Sequence, residues 1–108
     1  MPTGSESADS VARGVARARS EVSLRGLLLC EDEGQAAIVR EHLTQHIALT
    51  RAEQGCISFE VNATNDPLVW EVSELFASRE AFESHHKRVR SSEWGATTRE
   101  IRREYTIW

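Results

Sequence analysis

The stretch Cys56–His86, CISFEVNATNDPLVWEVSELFASREAFESHH, contains two strands and the start of a helix in direct succession. Apolar and polar residues alternate in both halves, which is the period of a half-buried strand. One face is expected to carry Ile57, Phe59 and Val61 in the first strand, and Trp70, Val72, Glu74 and Phe76 in the second. NATNDP between them is typical of a turn. Ser78 is a suitable N-cap for a helix that continues to about Arg88.

Another strand and helix precede this stretch. EVSLRGLLLCE, which begins at Glu21, is apolar enough in its second half for a buried strand. Asp32 and Gln35 then form a capping box, and Gly55 is a stop signal for a helix that reaches about Glu53. Spacings of three and four place one apolar stripe on this helix: Ala36, Val39, Leu43 and Ile47.

The C-terminal segment completes the pattern. Thr97 and Glu100 favour a short third helix, and REYTIW alternates as a final strand. The main elements therefore follow the order βαββαβ. This order predicts an α+β, ferredoxin-like fold, with a four-stranded antiparallel sheet and two helices on one face.

That fold has two consequences. Its first and second strands are not neighbours, so Cys30 and Cys56 are expected to be reduced thiols rather than disulfide partners. One sheet face stays uncovered by helices, and it is apolar enough to predict a homodimer that packs sheet against sheet.

Length and charge narrow the class of protein. The 108 residues suit one domain, here 21–108, after a flexible extension 1–20 with a short helix over Ser10–Arg19. The net charge is −4 and the arginines are dispersed among acids, which argues against a nucleic-acid partner. No apolar run approaches the ~20 residues of a membrane helix. We expect a cytoplasmic protein, because no secretory signal is recognisable.

Two adjacent histidines are the first candidates for chemistry. His85 falls in the inward stripe of its helix, whereas His86 falls at the edge, since neighbouring helical residues diverge by ~100°. Glu74, on an otherwise apolar strand face, is the carboxylate expected to pair with His85. Such a pair would suit proton transfer. A purely structural hydrogen bond between helix and sheet is the alternative that the residues leave open.

No cofactor or metal is expected. His42 and His46 have an i, i+4 spacing that suits metal ligands, but no third ligand is evident, and both are expected to be partly exposed. Glycine-rich phosphate loops and nucleophile motifs are absent from the sequence. The aromatic residues could instead line a pocket for a flat aromatic ligand.

The string EQGCISFEVNATNDPLVWEVSELFASREAFESHH resembles the antibiotic-biosynthesis monooxygenase family. The similar features are the Gly-Cys before the second strand, the Asp-Pro before the third, the Glu near its end and the following His, which maps onto His85. The resemblance covers Glu21–Trp108. It implies a dimeric α/β barrel that oxidises quinols or phenols with O2 without flavin, metal or haem. Arg90 stands near the place of a second family histidine, and the first strand lacks the Asn of the haem-degrading branch.

The leading hypothesis is therefore a cofactor-independent monooxygenase acting on a small hydroxylated aromatic compound. His85 would be the base and Glu74 its orienting partner. The expected substrate-binding residues are Trp70, Phe59, Asn62, Trp94 and His86. Two alternatives stay open: a non-catalytic dimeric module that binds a small ligand, and an isomerase or lyase that uses the same pair.

Overall fold

The computed structural model describes residues 20–108; the expected helix over Ser10–Arg19 lies outside them. The elements in chain order are β1 (Val22–Leu29), α1 (Glu33–Arg51), β2 (Cys56–Ala63), β3 (Val69–Phe76), α2 (Arg79–Arg90), α3 (Glu93–Thr97) and β4 (Arg102–Ile107). Apart from the single-turn α3, this is the predicted βαββαβ order.

The four strands form one antiparallel sheet in the order β2-β3-β1-β4. The predicted ferredoxin-like fold is therefore confirmed. Because β3 separates β1 from β2, the two cysteines are far apart in the sheet. Cys30 is buried just after β1, Cys56 begins β2, and both are free thiols as expected.

Side-chain caps fix where the helices begin. The Asp32 carboxylate accepts a hydrogen bond from the backbone N–H of Gln35 at 2.9 Å, and Ser78 caps α2 in the same way. The predicted short third helix is present, but its predicted position is wrong: Thr97 ends α3 instead of starting it. Ser92 is its N-cap, because the Ser92 hydroxyl accepts from the backbone N–H of Gly95 at 3.0 Å.

Register determines which strand residues face the helices. Phe59 lies opposite Glu74 and Val61 opposite Val72, so these pairs share the inner face of the sheet. Ile57 was expected on this face but is 51% exposed. A register shift between Cys56 and Ser58 explains the difference, because a bulge removes Ile57 from the alternation.

The inward face of α1 is wider than the predicted stripe. Ala36 and Val39 are buried, whereas Leu43 and Ile47 are only partly so. His46 and Thr50 are also buried, with 5% and 0% exposure. The expectation that His46 is partly exposed is therefore wrong.

Within residues 20–108, no helix packs against the outer face of the sheet. Four of its apolar side chains are partly exposed: Leu27, Leu29, Val69 and Leu75. No helix within residues 20–108 is both long enough and apolar enough to cross a membrane.

Candidate functional site

A cavity of about 220 Å³ lies between the inner face of the sheet and the helices. Its walls combine apolar side chains with ionisable ones: Leu28, His46, Phe59, Val61, Val72, Glu74, His85, His86, Val89, Trp94, Arg103 and Tyr105. This volume exceeds the ~150 Å³ of an engineered cavity that binds benzene, so it suits one ring or a small fused pair.

His85 contacts a carboxylate that the sequence did not predict as its partner. The Nδ1 atom of His85 lies 2.8 Å from Oε1 of Glu53, just beyond the end of α1. Arg88 donates to the other Glu53 oxygen, and its NH2 group also donates to Thr50 Oγ1 at 3.1 Å. Glu53 is thus fixed from two sides, and His85 is fixed by Glu53.

The contact with Glu53 determines the tautomer of His85. A carboxylate can only accept, so Nδ1 carries the proton and Nε2 keeps its lone pair. Burial lowers the pKa of His85 below its ordinary value, although the charges of Glu74 and Glu53 oppose this. At neutral pH the ring is therefore a neutral imidazole with its proton on Nδ1.

Glu74 contacts His86, whereas the sequence pointed to His85. Its Oε1 lies 3.5 Å from Nε2 of His86, and both atoms are buried without a hydrogen-bond partner. The His86 ring packs on Phe82 with a centroid distance of 4.5 Å, which turns its Nε2 towards the sheet. His86, expected at the edge of the inward face of α2, therefore reaches the cavity wall.

Glu74, His85 and His86 come together although the two histidines are adjacent on α2. One ligand atom from each of the three residues lies within 4.8 Å of the other two. The two imidazole rings meet edge to face, with centroids 4.8 Å apart. Neighbouring helical residues diverge by ~100°, but these two side chains are long enough for their rings to meet.

His46 forms part of the cavity wall. Its ring stacks on Trp94 with centroids 4.4 Å apart and lies edge-on to Phe59 at 5.2 Å. Burial lowers the pKa of His46 to about 3, helped by the nearby His85 and Arg88. His42 instead approaches Glu93 at 3.7 Å, outside this cavity.

Not every predicted contact residue lines the cavity. Phe59, Trp94 and His86 do, whereas Trp70 and Asn62 do not. Asn62 lies opposite Glu71 in the register and so belongs to the outer face of the sheet. Trp70 lies on the inner face of the sheet but does not line the cavity.

Two wall residues on β4 were not foreseen. Arg103 donates to the backbone oxygens of Thr98 and Ile101 at 2.7 and 2.8 Å, which holds the end of the chain against α3. Tyr105 lies across Gly26, where an added Cβ would be 2.7 Å from its ring. Burial raises the pKa of Tyr105, so its phenol stays protonated.

Comparison with known proteins shows the family. The model of the antibiotic biosynthesis monooxygenase family matches residues 32–97, more than half of the chain. This protein belongs to that family. The matched residues include Glu53, Glu74, His85 and His86, whereas the cavity residues of β4 lie beyond them.

Solved structures with low sequence identity share the fold of this family member. Rv0793 from Mycobacterium tuberculosis is 24% identical with a TM-score of 0.65, over 82% of this chain and 93% of that one. SnoaB, a cofactor-independent oxygenase from Streptomyces nogalater, is 9% identical with a TM-score of 0.64, over 82% and 91%. MupZ from Pseudomonas fluorescens is 11% identical with a TM-score of 0.69, over 85% and 70%. No functionally curated protein matches the chain significantly.

Proposed function

We propose that this protein is a cofactor-independent monooxygenase that oxidises a small hydroxylated aromatic compound with O2. The observation that carries the proposal is a buried, neutral imidazole, His85, fixed by Glu53 at the wall of an aromatic cavity. Family membership and the similarity to SnoaB, itself described as a cofactor-independent oxygenase, support the same chemistry.

The base in this proposal is Nε2 of His85, because Nδ1 is committed to Glu53. It accepts the proton of the substrate hydroxyl, and the resulting imidazolium is stabilised by the carboxylates of Glu53 and Glu74. Glu53 therefore takes the orienting role that the sequence had assigned to Glu74. Glu74 lies beside His86 and contributes negative charge near the same ring.

The phenolate or quinolate is the reductant of O2. A phenol with a free para carbon, or a quinol with another free ring carbon, can supply all four electrons itself. That carbon loses its hydrogen and gains one oxygen atom, the substrate becomes a p-quinone, and the other oxygen atom leaves as water. No external reductant is needed, so the protein has to bind the ring, remove the proton and exclude water.

The aromatic walls fit a flat substrate. Phe59, His46 and Trp94 all line the cavity, with His46 stacked on Trp94 and edge-on to Phe59. The protonated phenol of Tyr105 offers a hydrogen-bond donor for a substrate oxygen. With a volume of about 220 Å³, the cavity favours one or two fused rings over larger polycycles.

The test is O2 consumption by the purified protein with a panel of hydroquinones and dihydroxynaphthalenes, which the cavity favours, and of three-ring anthrones, which it disfavours. We expect one O2 consumed per quinone formed and, with ¹⁸O2, one labelled oxygen in the product. Turnover without label in the product would contradict a monooxygenase. No uptake across the panel, together with stoichiometric binding of one of its members, would favour the non-catalytic binding module instead.

We also propose that two copies pack through their outer sheet faces. The partly exposed leucines and valine of that face, which no helix within residues 20–108 covers, support this arrangement. The partner would then cover the side of the sheet opposite to the cavity.

A further inference from the structure

Two buried polar atoms at the cavity wall face each other without a hydrogen bond. Oε1 of Glu74 and Nε2 of His86 are 3.5 Å apart, at the distance of a loose ion pair, and neither atom has a hydrogen-bond partner within residues 20–108. Glu74 is only 5% exposed, and an unsatisfied buried carboxylate oxygen is costly. A positively charged species between the two atoms would remove this cost.

His85 supplies a third free lone pair at the same place. Its Nδ1 is bound to Glu53, so Nε2 is the atom left for a ligand. One donor atom from each of Glu74, His85 and His86 lies within 4.8 Å of the other two. The set is compact, and it includes a nine-tenths-buried carboxylate with an unpartnered oxygen.

The surroundings of His85 resemble those of a metal-bound histidine. Such a histidine commonly donates its other ring N–H to a carboxylate, which fixes the tautomer and raises the basicity of the ligand nitrogen. Glu53 accepts in this way from His85, and Arg88 fixes Glu53.

We propose that Glu74, His85 and His86 bind one divalent first-row transition-metal ion, with its remaining coordination positions open to the cavity. Two imidazoles and one carboxylate suit Zn²⁺, Fe²⁺ or Co²⁺, whereas Mg²⁺ and Ca²⁺ prefer oxygen ligands alone. Ligand atoms ~2.1 Å from a tetrahedral ion are ~3.4 Å apart, close to the distance between Glu74 and His86. Small rotations of the His85 and His86 rings would complete the set.

Metal binding and proton acceptance use the same lone pair of His85. Bound Zn²⁺ therefore inhibits the proposed oxidation, a consequence that rests on the proposed function. The binding itself does not rest on it. An O2 uptake that requires added Fe²⁺ would overturn the cofactor-independent mechanism but leave the metal site standing.

The experiment is calorimetric titration of Zn²⁺ into tag-free, chelator-treated protein, repeated with Co²⁺ to record its visible absorption bands. We expect one ion per chain. The variants Glu74→Gln and His86→Gln should each weaken binding at least 10-fold, and Glu53→Gln should weaken it 10–100-fold through His85. His42→Ala is the matched control, because this histidine contacts Glu93 outside the cavity, and its affinity should equal that of the unmodified protein.

Circular dichroism and thermal melts confirm that each variant is folded. His86→Gln is the decisive variant, since the His86 side chain is 32% exposed and its loss should not prevent folding. Binding that is absent at millimolar Zn²⁺ in the unmodified protein would overturn the site. Binding that survives in His86→Gln but disappears in His42→Ala would overturn it equally.

Discussion

Replacing Glu53 by Gln tests whether the orientation of His85 matters. The carboxylate accepts from His85 Nδ1 and from Arg88 at the same time. A glutamine of nearly the same shape has only one acceptor oxygen. Its NH2 group must therefore face either the Arg88 donor or the Nδ1–H of His85.

The expected cost follows from these two contacts. A buried hydrogen bond to a charged group contributes about 1.5–3 kcal/mol, whereas the partly exposed contact with Arg88 contributes little because solvent screens it. Glu53→Gln should therefore lower the free energy of unfolding by about 1.5–3 kcal/mol. Turnover should fall about 10-fold or more, but by less than the ~10²–10⁴-fold that a general base supplies.

Three measurements check this prediction on one sample. Urea denaturation gives the free energy of unfolding, O2 consumption gives turnover, and ¹⁵N chemical shifts of His85 report which ring nitrogen carries the proton. Glu33→Gln is the control, because Glu33 pairs with Arg40 on the exposed start of α1 and should cost less than about 1 kcal/mol. Unchanged stability, turnover and tautomer in Glu53→Gln would refute the orienting role.

Three further predictions concern other parts of the fold. Because the pKa of His46 is about 3 in the folded protein, the unfolded chain binds a proton first, and stability should fall by about 1.4 kcal/mol per pH unit from pH 6.5 towards 3. His46→Phe should reduce this dependence of stability on pH, measured by urea titrations at several pH values. An unchanged dependence would contradict the low pKa of His46. Gly26→Ala should lower the melting temperature and cost at least about 1–3 kcal/mol, because the added Cβ would lie 2.0 Å from the backbone oxygen of Glu104 and 2.7 Å from the Tyr105 ring, so β4 must shift. Gly34→Ala, where the nearest atom is 3.3 Å away, should not, and equal melting temperatures for the two variants would be the opposing result. Light scattering should give the mass of a dimer, and Leu75→Asp on the outer face should give a folded monomer; a monomeric unmodified protein would exclude sheet-to-sheet packing.

Local sequence signals predicted the elements well because they act within a few residues. The caps at Asp32 and Ser78 and the alternation of β3 depend only on near neighbours, and all are present in the structure. The bulge beside Ile57 left no such signal. It results from how β2 pairs with β3, which alternation alone does not reveal.

The site was predicted less completely, because its contacts join distant parts of the chain. Glu53 and His85 are 32 residues apart, and only the packing of the end of α1 against α2 brings them together. His46 could have been found, since Val39, Leu43, His46 and Thr50 continue spacings of three and four. These polar residues were discounted because the stripe was defined by apolar residues alone.

The most direct test of the account is O2 consumption by His85→Ala beside His42→Ala, with the best substrate of the panel and with melts to confirm folding. The account predicts a loss of about 10²–10⁴-fold for His85→Ala, because alanine removes the imidazole that Glu53 holds in place as the base. His42→Ala should keep full turnover, since His42 lies outside the cavity. Unchanged turnover in a folded His85→Ala protein would contradict the central claim.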